Sequence, residues 1–133
     1  MESTNKLRIL KIVLSLFLAF TLISCNENND ITYNPDNLLL GNWEFVSYNS
    51  NTTTFKRVSN FSENKGGVSF KLGDVFIERS SGFCGTPPIS FHNYEGNWQQ
   101  ENDIINIITS YLQGDFQWEI HLLTTNKLIV KRQ

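Results

Sequence analysis

From Leu38 onward almost every segment of this 133-residue chain is strand-like, and the clearest of them alternate hydrophobic and polar residues with a period of two. Val68-Ser69-Phe70-Lys71-Leu72 alternates strictly and puts three apolar side chains on one face. Phe116-Gln117-Trp118-Glu119-Ile120-His121-Leu122 has large apolar residues on one face and Gln, Glu and His on the other. Val75 to Glu78, Ile104 to Tyr111 and Leu128 to Lys131 are short β-branched runs. Leu40 to Tyr48, Thr52 to Phe61 and Ile89 to Gln99 are further aromatic-rich strands. Gly73-Asp74 and Thr125-Asn126 supply turns. No window carries a helical stripe at i, i+3, i+4 and i+7. The pattern predicts an all-β, eight-stranded antiparallel barrel or sandwich. In the fifth strand the apolar face changes between His92 and Asn93, so a β-bulge is expected there. Thr86-Pro87-Pro88 donates too few ladder hydrogen bonds for a central strand, which makes Ser80 to Pro88 a loop.

One apolar run has a different character. Ile12 to Ile23 is 12 uncharged residues preceded by Lys6, Arg8 and Lys11. Spanning a bilayer takes about 20 residues, and Asn26-Glu27-Asn28-Asn29-Asp30 follows at once. The order of basic head, short apolar run and small residue reads as a cleavable secretory signal. Leu22-Ile23-Ser24-Cys25 also resembles the lipobox of bacterial lipoproteins. That resemblance implies cleavage after Ser24, acylation of Cys25 and attachment to the cell envelope, as an outer-membrane lipoprotein on either face. Residues 1–24 are then the signal and 25–37 a polar tether. Residues 38–133 form one domain, a common size for a single core. About 12 tether residues reach roughly 40 Å when extended.

Removing the first 24 residues takes away three of eleven basic and one of thirteen acidic residues. Eight basic against twelve acidic side chains remain, a net charge of −4. No basic cluster stands out, which argues against nucleic-acid partners. Of the two cysteines, lipidation of Cys25 leaves Cys84 alone. It is read as a buried small hydrophobe, with an intermolecular disulfide or a reactive thiol as alternatives. The chain has no Gly-x-Ser-x-Gly elbow, no phosphate-binding glycine loop and no Cys-x-x-Cys. Its two histidines, His92 and His121, are too few for an obvious metal site, and no cofactor is expected. Glu44, Glu78, Glu95 and Glu119 are expected on a solvated face. The residues therefore favour a non-catalytic protein.

Leu39-Leu40-Gly41-Asn42-Trp43 opening the first strand, Gly96-Asn97-Trp98 midway and Trp118-Glu119-Ile120 near the end resemble the lipocalin-like family. With the lipobox, the chain is similar to the small lipocalin-like lipoproteins of Bacteroidota over about Leu38 to Lys131. The resemblance implies an up-and-down barrel in meander order. It also implies binding of a small apolar molecule or lipid in its interior. Trp43, Phe45, Phe70, Phe91, Trp98, Phe116 and Trp118 are the candidate interior or ligand-lining side chains, and Phe76 shares their parity. The same rings could instead fill a short barrel completely. The protein would then be an envelope interaction module, contacting another protein through loops such as Ser80 to Pro88. Oligomeric state is open on these grounds.

Overall fold

The computed structural model describes residues 33–82, 89–109 and 114–133. Eight strands are present: β1 (Gly41–Asn49), β2 (Thr52–Val58), β3 (Gly67–Lys71), β4 (Val75–Ser80), β5 (His92–Glu101), β6 (Ile104–Thr109), β7 (Phe116–Leu123) and β8 (Lys127–Arg132). Among the described residues there is no helix. The strands close into a barrel in the order β1-β2-β8-β7-β6-β5-β4-β3, and every neighbouring pair is antiparallel. Closure removes the exposed sheet edges that invite aggregation. The all-β barrel expected from the alternation is thus the fold.

Local chemistry sets the turns. Ser50 and Asn51 join β1 to β2, and both have positive φ, 47° and 73°. That is the two-residue hairpin geometry that matches strand twist. Gly73 and Asp74 turn β3 into β4 with φ of 76° and 60°. Thr124 and Lys127 bracket the β7–β8 turn, where Thr124 N–H donates to Lys127 O at 2.9 Å.

Two features depart from the sequence reading. The fifth strand carries no bulge. β5 starts at His92 and pairs in unbroken register with β4 to Asn97 and with β6 to Glu101. Ile89 and Phe91 precede the strand, so their parity places no demand on it. The register shifts fall instead between Phe45 and Ser47 in β1 and between Ile120 and Leu122 in β7. The extra residue in β1, Val46, lets Phe45 and Tyr48 both face the same cavity although they are three residues apart. In β7 the extra residue is His121, which lets Ile120 and Leu123 both pack on the core.

The second departure concerns connectivity. β3 to β8 follow one another round the barrel, but the β1–β2 hairpin closes it with β1 beside β3 and β2 beside β8. Residues 59–66 must therefore cross the outer side of β1, and the expected second strand stops at Val58 rather than Phe61. This crossover is clasped from below. Ser62 N–H donates to Glu44 Oε2 at 2.8 Å, Asn42 Nδ2 donates to Ser59 O at 2.7 Å, and Phe45 N–H donates to Gly66 O at 2.9 Å. Arg79 clamps it from β4, donating to Lys65 O and Glu63 O at 3.1 Å each, with its guanidinium facing Phe61 and Phe91. A Cβ on Gly67 would collide with the Trp43 carbonyl and the Phe61 ring, so glycine is what allows the strap to lie so close.

Glu44 is consequently not solvated. It lies on the outer face of β1 but is 1% exposed beneath the strap. Burial alone would raise its pKa. The Ser62 N–H and the Lys56 ammonium, 3.1 Å from Oε1, outweigh burial and hold the carboxyl below its ordinary value.

Candidate functional site

The barrel has two unlike ends. At the end where β1 begins, Trp43, Phe70, Ile105 and Leu128 are almost completely buried, together with Leu39 from the segment leading into β1. Trp43 Nε1–H donates to Leu39 O at 2.7 Å. Arg57 enters this core from β2 and lies over the Trp43 ring at 4.1 Å. Its Nε donates to Thr125 O at 2.5 Å and its Nη1 to Leu40 O at 2.6 Å, while Nη2 reaches Leu38 O. A single arginine thus ties the incoming chain and the β7–β8 turn across the barrel end. Burial lowers its pKa from the ordinary arginine value, but a guanidinium stays charged. Gly41 has φ of 130°, and a Cβ there would sit 2.5 Å from Arg57 Nη1. The Gly-x-Trp beginning β1 is explained by that geometry.

The opposite end is a cup of about 710 Å³. Here β1, β4 and β8 end, and β2, β3, β5 and β7 begin. Phe55, Phe76, Phe116 and Trp118 make its floor. Their rings touch edge-on or tilted: Phe55 to Trp118 at 5.6 Å, Phe116 to Trp118 at 5.4 Å and Phe76 to Trp118 at 6.4 Å between centroids. Such aromatic surfaces offer large apolar area with fixed geometry. Phe45 and Phe91 stand nearer the rim with Tyr48, and the strap contributes Asn64 and Lys65.

Besides Lys65 at the rim, two charged side chains from the strands line this mixed polar and apolar space. Glu78 shares the inward parity of Phe76 on β4. Burial raises its pKa, and the positive charge of Arg132 partly offsets that. Arg132 follows Leu128 and Val130 on the inward face of β8 and lies over the Phe116 ring at 4.7 Å. Around an eight-stranded ring in this order, β4 and β8 are four strands apart in either direction. Glu78 and Arg132 therefore stand on opposite walls.

Of the candidate interior residues, Phe45, Phe91, Phe116 and Trp118 line the cup, while Trp43, Phe70 and Trp98 belong to the packed core below it. Trp98 Nε1–H donates to Lys71 O at 3.1 Å. The expectation of a solvated face fails for Glu78 as it does for Glu44. For Glu78 the signal was present, since it shares parity with Phe76; Arg132 likewise shares parity with Leu128 and Val130. Phe55, a floor residue, and Lys65, which the strap carries to the rim, were also missed. His121 is exposed and 3.6 Å from the Glu119 carboxylate. His92 is exposed, with Nε2 3.1 Å from Ser90 Oγ. Among the described residues no three His, Cys, Asp or Glu side chains converge as a metal site would require. Cys25, Cys84 and residues 83–88 of the expected loop lie outside the described residues. Comparison of the chain with protein-family models, with curated proteins and with solved structures finds no match.

Proposed function

We propose that this chain is a non-catalytic, lipid-anchored protein of the bacterial cell envelope that binds a small, largely apolar molecule in its barrel, in the manner of lipocalin-like proteins. The observation that carries this reading is the cup: about 710 Å³, floored by four aromatic rings and entered from one end. Ligand pockets are typically ~300–1,000 Å³ and apolar with a few placed polar groups. A barrel filled by its own side chains, the interaction-module alternative, leaves no such space. Anchoring rests on Leu22 to Cys25 and the short apolar run before it. Several acyl chains on one cysteine would hold the protein durably, since each buried methylene contributes about 0.8 kcal/mol.

Native mass spectrometry of the full chain, released gently from its own envelope, tests the binding reading. A reproducible added mass of small-molecule size is expected. A bare protein mass across extracts would return the interaction module to first place. Anchoring is tested separately, by acyl labelling of a Cys25→Ala variant. Labelling should vanish, and its persistence would refute the lipobox reading.

A further inference from the structure

Exposed apolar side chains gather at both ends of the barrel. At the open end Phe45, Val46 and Tyr48 are exposed, and Phe45 and Tyr48 belong to the cup. At the closed end Leu72, in the turn from β3 to β4, is 78% exposed, the highest value for a large apolar side chain among the described residues. A leucine so exposed contributes little to the core. Tyr33, Leu40 and Leu72 line one shallow groove, with Lys71 beside them. The other half of this end is polar. Asp74, Glu101 and several side-chain amides line a second groove on the side of β5 and β6. Around the ring β3 is the neighbour of β1, whereas β5 and β6 lie beyond β4. The apolar half is therefore the half from which the chain enters β1.

Covalent reach distinguishes the two ends. Tyr33 lies eight residues beyond Cys25, a stretch that spans at most roughly 28 Å. The nine residues of β1, tilted as barrel strands are, make a wall roughly 20 Å tall. To bring the mouth of the cup down on a bilayer, the tether would first have to climb that wall, which takes up most of its reach. Seating the closed end requires no such extension.

Resting on the anchoring reading above, we propose that the closed end sits on the bilayer that holds the acyl chains, with Leu72 and Tyr33 among the lipid head groups, and that the cup opens away from it. Tyrosine favours the membrane–water interface. The Lys71 stem can lie along the apolar groove while its ammonium stays in water. Asp74 and Glu101, on the other half, tilt away from anionic head groups. A cup turned away from the bilayer takes its ligand from the aqueous space and not straight from the lipid beneath.

Paramagnetic broadening reads this orientation. The full chain, acylated by its own host, is placed in phosphatidylcholine nanodiscs doped with a lipid whose head group carries a nitroxide. The amide of Gly73 marks the closed end, and that of Asn51, in the β1–β2 turn, marks the rim. Gly73 should be broadened severalfold more than Asn51. Leu72→Glu, a change at an exposed position, should shrink that difference while the chain stays on the disc. Equal broadening of the two amides, stronger broadening of Asn51, or a difference that survives Leu72→Glu would overturn the orientation and leave the anchoring reading standing. A chain that carries no acyl mass and does not stay with the discs would remove the anchoring reading and this one with it.

Discussion

The two ends of the barrel are built from the same materials and put them to opposite uses. Each has aromatic rings, and each has an arginine lying on one of them. At the closed end Arg57 sits over Trp43 with three backbone carbonyls around it, and the indole is itself bonded to Leu39. Among the described residues no buried side-chain nitrogen or oxygen lacks a partner. At the open end Arg132 sits over Phe116 beside a cavity, and Phe45 is 40% and Tyr48 64% exposed. The lesson is that the same ring-and-arginine pairing closes one end and leaves the other end open. A ring packed on all sides and an arginine bonded to main chain contribute stability. Rings that line an open space are left with a face that no other side chain covers.

Substitutions should therefore separate stability from binding according to the end they touch. The largest loss is expected from Trp43→Ala, about 4 kcal/mol, as for other buried aromatic truncations. Arg57→Met should cost about 3 kcal/mol, since it leaves buried carbonyls without donors. Gly41→Ala adds strain at φ 130° and pushes on Arg57, for a loss of about 2 kcal/mol. Urea unfolding reads all three. Phe91→Ala at the rim should cost less than about 1 kcal/mol yet weaken ligand binding. If Phe91→Ala destabilised as much as Trp43→Ala, the division between the ends would collapse.

Smaller effects test the two carboxylates. Glu44 has its pKa held below the ordinary 4.5, so its stabilising contribution is complete above that value. The contribution is lost as pH falls through the folded pKa. Glu44→Gln should lower stability by about 1 kcal/mol at neutral pH and flatten this acid limb. Hydrogen exchange at Ser62 should then quicken, because the strap loses its clasp. Glu78 behaves oppositely. Its pKa is raised, so its ionised form disfavours folding above the folded pKa, and the penalty disappears below 4.5. Glu78→Gln should stabilise by at most about 0.5 kcal/mol at neutral pH, given the solvent screening of this half-buried group. The gain should close as pH falls towards 3, where both side chains are neutral.

Much of the barrel was legible in the alternation itself. All eight strands overlap the β-branched and aromatic runs of the sequence, several of them alternating at period two because closing the sheet buries at least one face of a strand. What was not legible is long-range. The swapped hairpin depends on which strands meet across the ring, and nothing local in residues 59–66 announces that they cross β1. Glu44 looks solvated in sequence because it lies on the outward parity, and only the strap above it makes it buried. The bulge was misplaced for a related reason. Parity does change near His92, but β5 begins there, whereas the shifts at Val46 and His121 serve the cup and the core. Parity reading carried further would have found Glu78 and Arg132. A charged residue in phase with Phe76, or with Leu128 and Val130, faces inward, and an inward charge at a barrel end is a candidate for ligand recognition.

The three tryptophans offer the most direct test of the two-ended barrel. Trp43 lies at the closed end, Trp98 is bonded to Lys71 O, and Trp118 forms part of the cup floor. Their indole N–H signals can be followed in a nitrogen–proton correlation spectrum of the full chain while 2-naphthoate is added. The expected result is a saturable shift of the Trp118 signal, with Trp43 and Trp98 unmoved. A shift at Trp43 equal to that at Trp118, or no shift at Trp118 as naphthoate reaches saturation, would contradict the assignment of the open end as the binding site.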